Sequence, residues 1–186
     1  MRYGIMLILV TLLLSSCATV GQANDVADPT RVLEACRLRA PAAVEQIAAE
    51  CGTLAVPADY AQPNGATIDL NLAVIPAIGR SATTDPLVLL AGGPGQGAIT
   101  SFVPLVSRLG SINQNRDILL VDQRGTGDST PLNCPIDSLP TEDSPAAYTA
   151  WVQDCVERQS VDPRLFTTMA AARDLEAVRV ALGYSH

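Results

Sequence analysis

The sequence predicts a mixed α/β fold, and three stretches carry that prediction. Thr67–Ile75 (TIDLNLAVI) alternates in polarity, whereas residues 86–91 (PLVLLA) and 117–121 (DILLV) are apolar almost without a break. Alternation with a period of two sets Ile68, Leu70, Leu72 and Val74 on one face and Thr67, Asp69 and Asn71 on the other, a half-buried antiparallel strand. Continuously apolar strands are those covered on both faces, as in a parallel sheet. Residues 98–109 (AITSFVPLVSRL), lying between the two apolar runs, predict a helix despite Pro104. Antiparallel strands followed by strand–helix–strand make a mixed sheet.

From the N-terminus, Arg2 precedes the apolar stretch 5–14 (IMLILVTLLL), which runs into Ser15, Ser16 and Cys17. The stretch falls well short of the roughly 20 residues that cross a bilayer. A charged start, a short apolar middle and small residues after it describe a secretory signal. LSSC resembles a bacterial lipobox, which implies a signal over residues 1–16, diacylation of Cys17 and a mature chain starting there. With Ala18 behind the cysteine, the resemblance implies the periplasmic face of an outer membrane; a simple cleavable signal and a secreted chain is the alternative. Residues 17–30 are small and polar, a tether. Residues 31–186 are long enough for one domain. Within them, 31–50 (RVLEACRLRAPAAVEQIAAE) favours helix interrupted by Pro41, 53–57 (TLAVP) a short strand, and 62–66 (QPNGA) a turn. Thr168–Leu182 predicts a helix, with Leu175, Val178 and Leu182 at i, i+3 and i+7 and Gly183 where a capping glycine belongs.

Composition narrows the partners. The 186 residues hold twelve basic side chains, all arginine, against nineteen acidic ones, for a net charge of −7. No arginine cluster sits beside aromatics, so nucleic acid is not expected as a partner. Cys36, Cys51, Cys134 and Cys155 form two local pairs separated by a long gap. In an oxidising compartment this favours Cys36–Cys51 and Cys134–Cys155 among the three connectivities. Neither pair has CxxC spacing and the single histidine is His186, so no metal site is expected.

The run PLVLLAGGPGQG (86–97) poses the functional question, because a buried strand ends in four glycines and a proline. A Walker loop requires Lys and a hydroxyl where Ala98 and Ile99 stand, and G-x-G-x-x-G cannot be started from Gly93 or Gly95. No phosphate-bearing cofactor, and no other, is therefore expected. A tight turn without chemistry and an oxyanion-binding loop remain. DILLVDQRGTGDS (117–129) is a second apolar strand ending in Gly-x-Gly, where Asp122 and Asp128 read as capping groups rather than metal ligands.

Together, GGPG after one strand and DQRGxGxS after the next resemble the α/β-hydrolase fold, and within it the proline iminopeptidase and tripeptidyl aminopeptidase family of serine peptidases. The resemblance runs from about Cys36 to His186 and takes in CGTLAVPADY and AAARDLEAVRVALGY. It implies that the N–H of Gly93, with Gly92 next in line, supplies half of an oxyanion hole. Such a donor is worth about 3–4 kcal/mol of barrier. It also implies that Asp122, Arg124, Gly125 and Gly127 form a supporting turn beneath the site. The family usually has His before the glycines; here it is Ala91.

Gly183-Tyr184-Ser185 imitates the start of a nucleophile elbow, but an elbow follows a strand and opens a helix. Here a helix precedes it, so Ser185 and His186 are not expected to be triad members. In chain order the triad runs Ser, Asp, His, and all three are expected beyond residue 186. The reading is the N-terminal part of an exported serine hydrolase, inactive by itself, acting on a peptide through an acyl-enzyme. An esterase acting on small esters is its neighbour, and a non-catalytic envelope lipoprotein that binds something is the alternative of another class.

Overall fold

The computed structural model describes residues 33–39, 46–79, 83–141 and 144–186. The predicted signal, Cys17, the tether and Pro41 lie outside them. Five strands form one sheet: β1 (Leu33–Arg39), β2 (Gln46–Pro57), β3 (Thr67–Ile75), β4 (Leu87–Leu89) and β5 (Ile118–Val121). Their order across the sheet is β1-β2-β3-β5-β4. The pairings from β1 through β3 to β5 are antiparallel, and β4 joins β5 in parallel. The mixed sheet is thus present.

The strand pleat sorts the core into two layers. Ile68, Leu70, Leu72 and Val74 of β3 point with Leu119 and Val121 of β5 toward Val178 of helix α4 (Thr168–Ala181). On the other face Ala73, Ile75, Ile118 and Leu120 pack against Ala98 of α1 (Ala98–Phe102) and against Val103 and Val106 of the 3₁₀ segment Val103–Leu109. A further turn, α2 (Gly110–Asn113), leads to β5. The helix expected over 98–109 therefore tightens to 3₁₀ from Val103. Pro104 stands in its first turn, where the missing N–H costs least. Helix α4 ends as the sequence indicates: Gly183 has φ +74°, its N–H reaches Val180 O at 3.1 Å, and the Tyr184 N–H reaches Arg179 O at 3.1 Å. That is a Schellman motif.

Two expectations are corrected. Residues 33–39 and 46–50 are strands, not helix: Cys36 lies opposite Ala49 and Glu34 opposite Cys51 in the β1–β2 register. The alanines that raise helix propensity are overruled by pairing, since propensity is weak against tertiary context. The Cys36–Cys51 disulfide, with Cα atoms 5.7 Å apart, ties the two strands across that register. Strand β2 also runs back well beyond the 53–57 expected. Likewise, β4 is not covered on both faces. Leu87 and Leu89 pack into the α1 layer, but β4 lies at the end of the strand order, with Val88 39% and Leu90 50% exposed.

Candidate active site

Two loops leave the sheet at the C-terminal ends of its parallel strands. The first follows β4. Gly93 has φ +133° and Gly95 φ +87°, and the Gly93–Pro94 peptide is cis. At Gly93 a side chain would meet both the strained φ and Gln96, whose Cγ lies 3.0 Å from where a Cβ would stand. Gly92 has open space around it. Both glycines are exposed, and among the described residues no acceptor meets either amide hydrogen. Ala91 packs into the α1 layer.

The second loop follows β5 and is tied to the first by one carboxylate. Asp122, 1% exposed, accepts from the Ile99 N–H at 3.0 Å, from Asn71 Nδ2 at 3.1 Å and from the Asp128 N–H at 3.2 Å. Ser129 Oγ donates to Asp122 O at 2.5 Å and accepts from the Asn71 N–H at 2.7 Å. Gly127, at φ +52°, passes so close over Asp122 that a Cβ there would fall on the carboxylate. The glycine spacing of DQRGTGDS thus lets the turn fold down onto its own aspartate.

Beneath this turn Arg124 spends all five of its N–H donors. Nε and Nη2 each reach Asp174 at 2.6 Å, Nη1 reaches Ala58 O at 2.9 Å and Leu165 O at 3.0 Å, and Nη2 reaches Pro57 O at 3.2 Å. The Tyr60 hydroxyl donates to Asp174 at 2.9 Å. Burial, and then the hydrogen bond to that carboxylate and its charge, push the Tyr60 phenol up to about 12. Asp174, Tyr60 and Asn71 were not singled out from the sequence. Asp174 alone had left a signal, a carboxylate one turn before Val178 on the buried stripe of α4.

Between the two loops lies a cleft of about 640 Å³. Gln96, Thr100 and Ser101 line it from the first loop and α1, and Pro131, Leu132 and Asn133 from the second. The Leu132 N–H reaches Gly125 O at 3.3 Å. Cys134, next in the chain, is bonded to Cys155 of α3 (Pro145–Glu157), their Cα atoms 5.5 Å apart. Both predicted disulfides are present.

Ser185 stands elsewhere. Its N–H donates to Thr84 O at 3.1 Å and its Oγ lies 2.7 Å from Thr84 Oγ1, before β4 begins, whereas the glycines follow the end of that strand. His186 Nδ1 is 3.0 Å from Ser185 Oγ, and both residues are exposed. Tyr184, next to them, donates to Asp117 at 2.9 Å, and burial holds its phenol well above the ordinary value. Among the described residues no three His, Cys, Asp or Glu side chains gather as a metal site. Gly92 and Gly93 thus present their amides on the loop that enters the cleft at Gly95, with the braced turn of Gly125 and Gly127 on its other side.

No family model matches the chain. Among curated proteins it is 33% identical over 152 residues to carboxylesterase B of Mycobacterium tuberculosis, and 30% identical over 154 residues to a tripeptidyl aminopeptidase of Streptomyces lividans. It is 29% identical over 151 residues to the serine protease Hip1 of Mycobacterium tuberculosis. Each match takes in 72% of this chain, but the chain spans only 28–29% of the length of these relatives. Over that shared length the chain is similar to proteins named as an esterase, an aminopeptidase and a serine protease, all of them hydrolases.

Proposed function

We propose that residues 33–186 form the oxyanion-loop portion of a serine hydrolase. The observation that carries this is the pair of exposed amides at Gly92 and Gly93, unpartnered among the described residues, on the loop that continues into the cleft. A carbonyl under attack becomes an alkoxide, and preorganised N–H donors stabilise it without reorganising. The hydrolase names of the relatives support the same reading. An aminopeptidase acting through an acyl-enzyme is the activity we favour, because the proximal resemblance of the two glycine motifs is to peptidases. An esterase on the same scaffold is its neighbour.

The nucleophile, acid and base are proposed to lie beyond His186. Ser185 begins hydrogen bonding to Thr84 at the entrance to β4, whose outer edge pairs with no strand among the described residues and whose Val88 is 39% exposed. A chain continuing parallel to β4 would arrive beside the glycine loop, where a serine on a strand-to-helix turn could reach the oxyanion donors. The test is a fluorophosphonate probe applied to the 186-residue chain and to a protein extended along the reading frame. The chain alone should remain unlabelled, and the extended protein should label at a new serine inside G-x-S-x-G. Labelling at Ser185 would refute the placement of the nucleophile. An extended frame without such a serine would leave the binding-lipoprotein reading in its place.

We further propose that Cys17 is diacylated and anchors the protein to the cell envelope. Mass spectrometry of the membrane fraction should find a diacylglyceryl peptide starting at Cys17, and a soluble chain lacking Cys17 would overturn this.

A further inference from the structure

The cleft carries no charge on its lining. Its side chains are two carboxamides, Gln96 and Asn133, two hydroxyls, Thr100 and Ser101, and the apolar Pro131 and Leu132. The nearby Asp122 carboxylate is buried and already accepts three N–H donors. An ammonium group in the cleft would find no counter-ion, and neither would a carboxylate. Desolvating either without a partner is expensive.

The two carboxamides are differently placed. Gln96 folds beside Gly93, its Cδ 3.2 Å from the position a Gly93 Cβ would take, so its amide lies next to the proposed oxyanion donor. Asn133 is held by its backbone: Gln159 Nε2 donates to its carbonyl at 3.4 Å, and Cys134 behind it is locked to Cys155. Both side chains are exposed, and among the described residues neither carboxamide has a hydrogen-bond partner. Each presents one donor group and one acceptor, the same complement as a peptide unit.

We propose that this cleft holds a neutral main-chain amide of a peptide substrate, through the side-chain carboxamides of Gln96 and Asn133. The inference rests on the serine-hydrolase reading and deepens it. The substrate lies in the cleft by its peptide groups, so the recognition of a free amino terminus belongs to another part of the protein. A substrate lacking a peptide N–H forfeits one side of the arrangement.

The test has a binding arm and a kinetic arm. In the binding arm the whole chain, in detergent, is titrated with N-acetylalanine methylamide and separately with methyl acetate, while the side-chain NH₂ resonances are followed by NMR. The methylamide should move the Gln96 and Asn133 signals, and methyl acetate should move them less at the same concentration. In the kinetic arm the extended protein is assayed on a peptide nitroanilide with a free amino terminus and on p-nitrophenyl butyrate. Gln96→Ala and Asn133→Ala should each raise KM roughly fivefold more for the nitroanilide than for the butyrate, the worth of one neutral hydrogen bond.

Equal effects on both substrates, with the methylamide shifting neither signal, would overturn the proposal while leaving the hydrolase reading intact. The reverse result, methylamide shifts in an extended protein that no fluorophosphonate labels, would sink the hydrolase reading and keep the peptide site.

Discussion

Removing the carboxylate of Asp174 should cost more stability than any other single polar change in the described fold. The side chains of Arg124 and Asp174 are only 2% and 3% exposed, and their two hydrogen bonds are 2.6 Å each. Asp174→Ala leaves Nε and one Nη2 proton of Arg124 with no acceptor, and a buried guanidinium with no counter-charge. Breaking such a pair from one side costs about 3–5 kcal/mol. For a domain of this size each kcal/mol moves Tm by about 2–4 °C, so the midpoint should fall by roughly 6–20 °C. The reverse change, Arg124→Met, strands the Asp174 carboxylate and takes a donor from the carbonyls of Pro57, Ala58 and Leu165 as well. A double replacement by apolar residues should therefore recover only part of the loss. The control is Asp154→Ala, which breaks the exposed i,i+4 pair with Arg158 and should cost about 0.3–0.5 kcal/mol. Urea unfolding followed by far-ultraviolet circular dichroism measures all four variants. If Asp174→Ala proves no worse than Asp154→Ala, the buried pair is not what holds the turn to α4.

The remaining predictions use other parts of the same region. Gly127→Ala should destabilise by about 2 kcal/mol or more, from a positive φ and a Cβ driven onto Asp122, whereas Gly92→Ala, in open space, should unfold at the wild-type urea midpoint; equal midpoints for both would refute the packing argument. Because the Tyr60 phenol is raised from 10.0 to about 12, the folded state holds its proton longer than the unfolded state. Its contribution is complete below pH 10 and lost as pH rises toward 12, so Tyr60→Phe should flatten the fall in stability between pH 10 and about 12; an unchanged slope would refute this. Replacing Cys134 and Cys155 by alanine opens a link across a sequence separation of 21 and should cost about 3 kcal/mol by chain entropy. Non-reducing peptide mapping should recover Cys36 with Cys51 and Cys134 with Cys155, and a crossed peptide would overturn the pairing.

What could be read from the sequence was what local pattern decides. β3 emerges at its full length because a period of two has no helical rival there. The Schellman end of α4 follows from Gly183 alone, and the disulfides follow from the nearness of each cysteine pair. The failures share a cause in non-local structure. Residues 33–39 and 46–50 have helical composition, and only the partner strand makes them extended. β4 reads as a covered strand because its composition fits one, yet coverage depends on what lies beside it. The glycine motifs mark the candidate site, but the partners that brace it come from afar. Asp174 lies 50 residues from Arg124 and Asn71 lies 51 from Asp122. No motif spacing records such pairings. The uncharged lining of the cleft was equally hidden, since Gln96 and Asn133 line one cleft only because the loops after β4 and β5 stand on either side of it.

The strand order also sets a sequence of assembly. β4 has one strand neighbour among the described elements, β5, and β5 comes 29 residues later, from Leu89 to Ile118, by the numbering of the two strands. The hairpin series β1–β2–β3 can pair as soon as it exists, but β4 and the glycine loop have nothing to add to until β5 has docked on β3. The loop proposed to meet the substrate is then among the last parts to become rigid. It is anchored from below by a strand that follows it in the chain and by the single carboxylate at that strand's end. A chain emerging in order, or fed unfolded through a translocation pore, would carry this loop loose until Asp122 arrived. Amide protection at Leu87–Leu89 should accordingly be missing from a nascent chain halted before Ile118 and present once Ser129 has been added.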